Sequence, residues 1–179
     1  MIAFAGLLTA NVYYPQTNLG LATIMTALVA NTAGGLLPDL DQATNRLWGM
    51  LPFGRSVGKI FNELFLSHRG LTHSLLGIFL VDKIVYWLLP IIFNGTFINF
   101  QIVSISLMIG YISHLCADGV TEEGLPLLYP LKYKFGLPPT KSWRIKTGEW
   151  FESLVVTPGV IAYIVLTIIT DWKAFTGVF

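Results

Sequence analysis

The sequence predicts an all-α protein: a polytopic membrane helix bundle with about four transmembrane helices and one amphipathic helix lying in the interface. Three observations lead there. Of the 179 residues, 54% are hydrophobic and only 12% are charged, against about 25% charged in a soluble domain. Mean hydropathy is +0.65. The apolar residues fall into long runs, and the loops between them carry most of the basic charge. Length fits a single membrane-embedded domain over residues 1–179. The helical state of the runs follows from the solvent, because backbone exposed to lipid must satisfy its own hydrogen bonds.

A spanning helix needs roughly 20 mostly apolar residues. Residues 1–14 are apolar but short, so they suit half a helix or an interfacial piece. They contain no basic n-region, so no cleavable signal peptide is expected, and the abrupt start is compatible with a longer natural N-terminus. The first span is expected at 19–37, which carries no charge. The second, 71–93, carries Asp82 and Lys83, adjacent and able to neutralise each other. The third, 97–117, holds one histidine, and the fourth, 153–170, is uncharged but contains Pro158, which should kink or delay the helix. Ala30, Ala33, Gly34 and Gly35 permit close helix contact, within the bundle or between copies. The lone Cys116 excludes an internal disulfide and should pack as a small apolar residue.

Basic charge sets the orientation. Four Lys and Arg lie in the 38–70 loop (Arg46, Arg55, Lys59, Arg69) and five in the 118–152 loop (Lys132, Lys134, Lys141, Arg144, Lys146), nine of the eleven in the chain. By the positive-inside rule both loops face the cytoplasm, and the Asn94-Gly95-Thr96 turn faces out. Within the first loop, Val57, Ile60, Phe61, Leu64 and Phe65 form a helical apolar stripe, which suits an interfacial helix over 56–66 or a helix capping the bundle. The second loop, 119–143, is rich in Pro, Gly and aromatics and reads as ordered but irregular. A net charge of +1 supplies no basic footprint for nucleic acid.

This topology gathers the polar residues. The first span ends in Pro38-Asp39-Leu40-Asp41, the second begins just after His68 and at His73, and the third ends in His114 and Asp118. All three histidines of the chain and three aspartates therefore meet at the cytoplasmic membrane face. His114 and Asp118, four apart, share one helix face. Each group alone has a plainer reading: Asp39 can cap a turn, His68 and His73 can be helix-start residues, and His114 with Asp118 can be a structural hydrogen bond. Together they are ionisable groups beside a membrane, which marks a functional site. Mixed imidazole and carboxylate suits zinc first, then manganese or iron. Six ligands exceed the three or four of a single zinc, so one or two ions are expected, and paired ions about 3.5–4 Å apart are typical of phosphoester hydrolysis.

The blocks LLPDLD (36–41), HRGLTHSLLG (68–77) and GYISHLCADGVTEEGLPLLYPLKYKF (110–135) resemble the YdjM-like family of LexA-regulated, inner-membrane metal-dependent hydrolases. The likeness covers most of residues 30–140. The resemblance implies a polar signature at Asp39, Asp41, His68, Arg69, His73, Ser74, His114, Asp118 and Thr121. More distantly the pattern is similar to zinc-dependent phospholipase C and kindred zinc nucleases, an analogy at the level of fold. One departure is a histidine that such sequences carry near the N-terminus. This chain has none before His68, which puts a three-metal site in doubt.

The expected function is a metal-dependent hydrolase of the inner (plasma) membrane, acting at its cytoplasmic face on a phosphoester or lipid-linked substrate. Asp39, Asp41, His68, His73, His114 and Asp118 would hold a divalent ion, zinc foremost. Asp39 or Asp41 would serve as general base. Arg69 would pair with phosphate, and Ser74 and Thr121 would contact substrate. Membrane lipid is the expected partner. The alternative is a non-enzymatic membrane protein whose structural metal or His/Asp cluster joins helix ends. Ion or proton transport ranks below both, because only the Asp82–Lys83 pair lies deep.

Overall fold

The computed structural model describes residues 1–41, 70–131, 133–146 and 150–173, with only the backbone of Leu40, Asp41 and Glu152. Among these residues the architecture is all-helical: α1 (Ile2–Tyr13), α2 (Leu21–Leu36), α3 (Leu75–Ile92), α4 (Phe100–Gly119) and α5 (Thr157–Thr170). Three-residue and four-residue 3₁₀ turns, Leu71–His73 and Pro38–Asp41, flank the site end of the bundle. The expected interfacial helix at 56–66, and with it His68 and Arg69, lies outside the described residues.

Three helices are long and apolar enough to cross a membrane: Leu75–Ile92, Phe100–Gly119 and Ser153–Thr170. The expected first span differs. The run 19–37 contracts to the 16 residues of α2, about 24 Å of helix, because Gly20 caps it in extended conformation and Pro38 opens a 3₁₀ turn. The four expected spans thus become three candidate spans and two shorter apolar helices, α1 and α2. Pro158 acts as anticipated: a π-helical turn at Glu152–Val156 leads into α5, with the proline in its first turn where no backbone donor is needed.

Capping explains where the longer helices start. The Asn99 side chain accepts hydrogen bonds from the Gln101 and Ile102 amides at the head of α4, and Ser74 Oγ accepts one from Gly77 at the head of α3. Asp82 and Lys83 pair at 3.0 Å on the exterior of α3, with the ammonium over the Phe79 ring. Phe79, Trp87 and Ile91 on α3 and Leu166 and Ile169 on α5 point outward, as lipid-facing positions require.

Helix α4 is the hub, packed against α2, α1 and α3. Ala27, Ala30, Val85, Leu89 and Val103 form one core cluster, and Tyr111, Leu115 and Leu125 a second nearer the site. The α2–α4 crossing is unusually close. A Cβ on Gly34 would lie 2.0 Å from the Leu107 carbonyl oxygen, and one on Gly110 would lie 2.0 Å from that of Asn31. The small-residue run therefore serves packing within the bundle. Inside this contact the Asn31 side-chain amide donates to the Ser106 carbonyl at 3.0 Å. Cys116 departs from expectation: it lies on α4 but is exposed, because α4 buries the opposite face, with Tyr111 and Leu115.

The described residues of the 119–143 segment form an irregular but hydrogen-bonded loop, as expected. Leu125 and Phe135 exchange backbone hydrogen bonds, and Thr121 bridges to Ile145. The Arg144 guanidinium donates to the carbonyls of Gly136, Pro138 and Pro139. The Leu75 amide donates to Leu127 O at 3.0 Å, tying this segment to the head of α3.

Candidate metal centre

Chain direction and packing put three helix ends together. Helices α2 and α4 run the same way, since Thr23 meets Phe97 and Asn99 at one end while Gly35 meets His114 at the other. Helix α3 runs oppositely, so its N-terminal turn joins their C-terminal ends. The negative ends of two helix dipoles and the positive end of one thus face the site, a balance that favours a cation.

Asp39 comes from the 3₁₀ turn after α2, His73 from the 3₁₀ turn before α3, and His114 and Asp118 from the last turns of α4. His73 Nε2 lies 3.3 Å from Asp118 Oδ2 and 4.0 Å from Asp39 Oδ1. His114 Nε2 lies 3.6 Å from Asp39 Oδ1 and 3.8 Å from Asp118 Oδ2. The ligating atoms of Asp39, His73 and His114 all fall within 4.8 Å of one another. The two imidazoles meet edge-on, centroids 5.7 Å apart. His73 is fully buried, Asp118 and His114 expose 15% and 18% of their side chains, and Asp39 exposes 30%. The centre is therefore closed on the His73 side and open beside Asp39.

These spacings fit a metal better than direct hydrogen bonds. Three of the four separations, 3.6–4.0 Å, exceed hydrogen-bond length, and the 3.3 Å His73–Asp118 pair is longer than an ordinary one. Ligands about 2.0–2.2 Å from a tetrahedral zinc lie about 3.3–3.6 Å apart, close to the distances found. The tautomer agrees. His114 Nδ1 lies 2.8 Å from the Gly35 carbonyl oxygen, which can only accept, so Nδ1 carries the proton and Nε2 is the nitrogen left to face an ion. That nitrogen is buried and makes no hydrogen bond among the described residues. A carbonyl behind a ligating imidazole is the usual orienting partner in metal sites.

His73 is held from behind as well. Its Nδ1 lies 3.0 Å from Thr72 Oγ1, and the Tyr111 hydroxyl donates to the Thr72 carbonyl. Tyr111 is wholly buried. Sequence reasoning missed Thr72, Tyr111 and the Gly35 carbonyl. The signal for Tyr111 was present: residues 111, 114 and 118 share one helical face.

Other expected site residues fall differently. Asp41 lies in the Pro38–Asp41 turn, but its side chain is not described, and His68 and Arg69 fall outside the described residues. The described donors could hold one ion. Ser74 serves its own turn. It is fully buried, and its hydroxyl donates to Leu71 O at 2.7 Å while capping α3, so both hydrogen-bonding functions are spent on the turn that carries His73. Thr121 likewise turns its hydroxyl back to the Asp118 carbonyl at 2.8 Å, closing the end of α4.

Comparison with known proteins gives the family. The chain is 36% identical over 108 residues to the "Inner membrane protein YdjM" of Escherichia coli (strain K12), covering 58% of this chain and 48% of that protein. The same figures hold for the protein of that name in Shigella flexneri. The chain thus spans about half the length of these curated relatives. It is also 30% identical over 148 residues to the "Uncharacterized protein YvsG" of Bacillus subtilis (strain 168), covering 83% of this chain and 79% of that protein. No solved structure matches. The model of the YdjM inner membrane protein family matches residues 2–175, and with three helices able to span a membrane the chain belongs to that family.

Proposed function

We propose that this chain is a membrane-bound metal-dependent hydrolase acting at the cytoplasmic membrane face, on a phosphoester or lipid-linked substrate. The observation that carries the reading is the convergence of His73 Nε2, His114 Nε2 and the Asp39 and Asp118 carboxylates at 3.3–4.0 Å, open on the Asp39 side. These four residues would hold a divalent ion, zinc foremost. When bound, the ion supplies Lewis acidity, polarising the scissile group and acidifying water. Gly35 and Thr72 hold the two imidazoles in orientation. Asp39, the more exposed carboxylate, would take a proton from water if the two imidazoles and Asp118 alone hold the ion. Arg69, next to His68 in sequence, would pair with phosphate oxygens. Nine of eleven basic residues in two loops support a cytoplasmic position for this end of the bundle.

The test compares metal content per chain in detergent-purified wild type, His114→Ala and Asp39→Ala, followed by a phosphodiester and lipid-phosphoester screen. Folded variants that lose metal and turnover support the reading. Wild type that takes up no metal on reconstitution ends it.

A second reading has its own support. His73 is completely buried and the cluster ties together three elements far apart in the chain, which suits a structural metal. It predicts that His114→Ala unfolds the bundle rather than sparing it.

A further inference from the structure

The loop that follows α4 carries an apolar surface that the bundle leaves uncovered. Residues 131–137 read Leu-Lys-Tyr-Lys-Phe-Gly-Leu, apolar at odd positions and basic or glycine at even ones. Leu125 and Phe135 exchange backbone hydrogen bonds, which holds the segment extended there, and alternate side chains of an extended segment share a side. The contacts agree. The Tyr133 ring lies 6.2 Å from that of Phe135, and Phe135 and Leu137 line one groove with Ile78 of α3 and Ile112 and Cys116 of α4. Leu131, Tyr133 and Leu137 are 62%, 74% and 69% exposed, and Trp143, a few residues on, is 76% exposed. An apolar patch of this kind marks an interaction surface.

Depth and charge name what covers it. The Leu75 amide donates to Leu127 O, so the loop is fastened to the end of α3. The 18 residues of α3 make about 27 Å of helix, close to the roughly 30 Å of a hydrocarbon core. The loop therefore stands at headgroup depth, and its groove runs onto the spanning helices at Ile78 and Ile112. Residues 124–148 hold five cations, Lys132, Lys134, Lys141, Arg144 and Lys146, and no acid. Arg144 is engaged in bracing the loop, through the carbonyls of Gly136, Pro138 and Pro139. Lys134 and Lys141 are exposed, and neither makes an ion pair among the described residues. We infer that residues 131–143 form a docking surface for anionic phospholipid, with Leu131, Tyr133, Leu137 and Trp143 among the upper acyl chains and Lys134 and Lys141 on the phosphates. Tyrosine and tryptophan favour headgroup depth, and lysines beside a membrane attract anionic lipid. The inference needs neither a metal nor hydrolysis.

The test uses the full chain in a Cys116→Ser background, reconstituted in vesicles of phosphatidylcholine and phosphatidylglycerol. A spin label at Leu137→Cys, and separately at Leu131→Cys, reports collisions with oxygen, which concentrates in lipid, and with a water-soluble nickel chelate. Oxygen should dominate at both positions. Should one labelled variant fail to fold, the other carries the depth measurement. Lipid choice is read by native mass spectrometry, titrating phosphatidylglycerol or phosphatidylcholine into the detergent-purified chain. Phosphatidylglycerol should bind more tightly than phosphatidylcholine. Lys134→Gln and Lys141→Gln should each weaken it about fivefold, with thermal unfolding and metal content at the wild-type level. Dominance of the nickel chelate at the labelled positions overturns the inference. Protection from both reagents, as a second protein surface seated on the loop would give, overturns it too. Equal affinity for the two lipids, or a preference for phosphatidylglycerol that survives both lysine substitutions, removes the anionic lipid and with it the proposal.

Discussion

Replacing Gly110 by alanine tests whether the close helix crossing holds the metal ligands in place. A Cβ there would meet the Asn31 carbonyl oxygen at 2.0 Å and the Gly35 nitrogen at 2.9 Å, where real contacts stay beyond 3.0 Å. Both obstacles are backbone and cannot rotate away, so α2 and α4 must separate by about 1 Å. The same shift would carry the 2.8 Å His114 Nδ1 to Gly35 O contact out of hydrogen-bond range. Overpacking costs about 1–3 kcal/mol and the lost hydrogen bond about 0.5–1.5 kcal/mol. The helix propensity of alanine returns about 0.5–1 kcal/mol. The net loss of about 0.5–4 kcal/mol corresponds to a Tm about 1–16 °C lower for a chain of this size. The assay is thermal unfolding in detergent together with metal content per chain. Gly159→Ala on α5, where a Cβ meets nothing within 4 Å, is the control and should be neutral or slightly stabilising. If Gly110→Ala melts with this control and loads metal equally, the reasoning fails.

Tyr111→Phe removes the hydroxyl that holds the Thr72 carbonyl behind His73; metal affinity should fall about 10–100-fold with helical circular dichroism unchanged, read by competition with a chelating dye. Ser74→Ala should lower stability by about 0.5–2 kcal/mol through the lost cap and leave the KM of any phosphoester substrate unaltered. A raised KM at unchanged stability would restore the substrate contact that the sequence suggested. Asp118→Asn and Asp39→Asn should each reduce bound metal measured by elemental analysis. A variant that retains full metal removes its residue from the ligand set.

Much of the site was legible because membrane proteins restrict where ionisable groups can stand. Asp39, His73, His114 and Asp118 each interrupt or end an apolar run, and alternating helix directions bring those ends to one face. The i, i+4 spacing of His114 and Asp118 was readable from helix geometry alone. The backbone hydrogen bonds of Ser74 and Thr121 were not legible, because a hydroxyl beside a ligand looks the same in sequence whatever its partner. The α2 span was read too long because hydropathy does not register an extended Gly20 or a 3₁₀ turn at Pro38.

The sequence by itself determined the helical class, the apolar runs, the basic loops and the roster of polar residues at one end. These follow from composition and periodicity, which are local. Tertiary structure alone decided that Gly34 and Gly110 lock α2 to α4 and that Gly35 and Thr72 stand behind the two imidazoles. Those features depend on distances between residues as far as 79 positions apart in the chain, and only packing sets such distances.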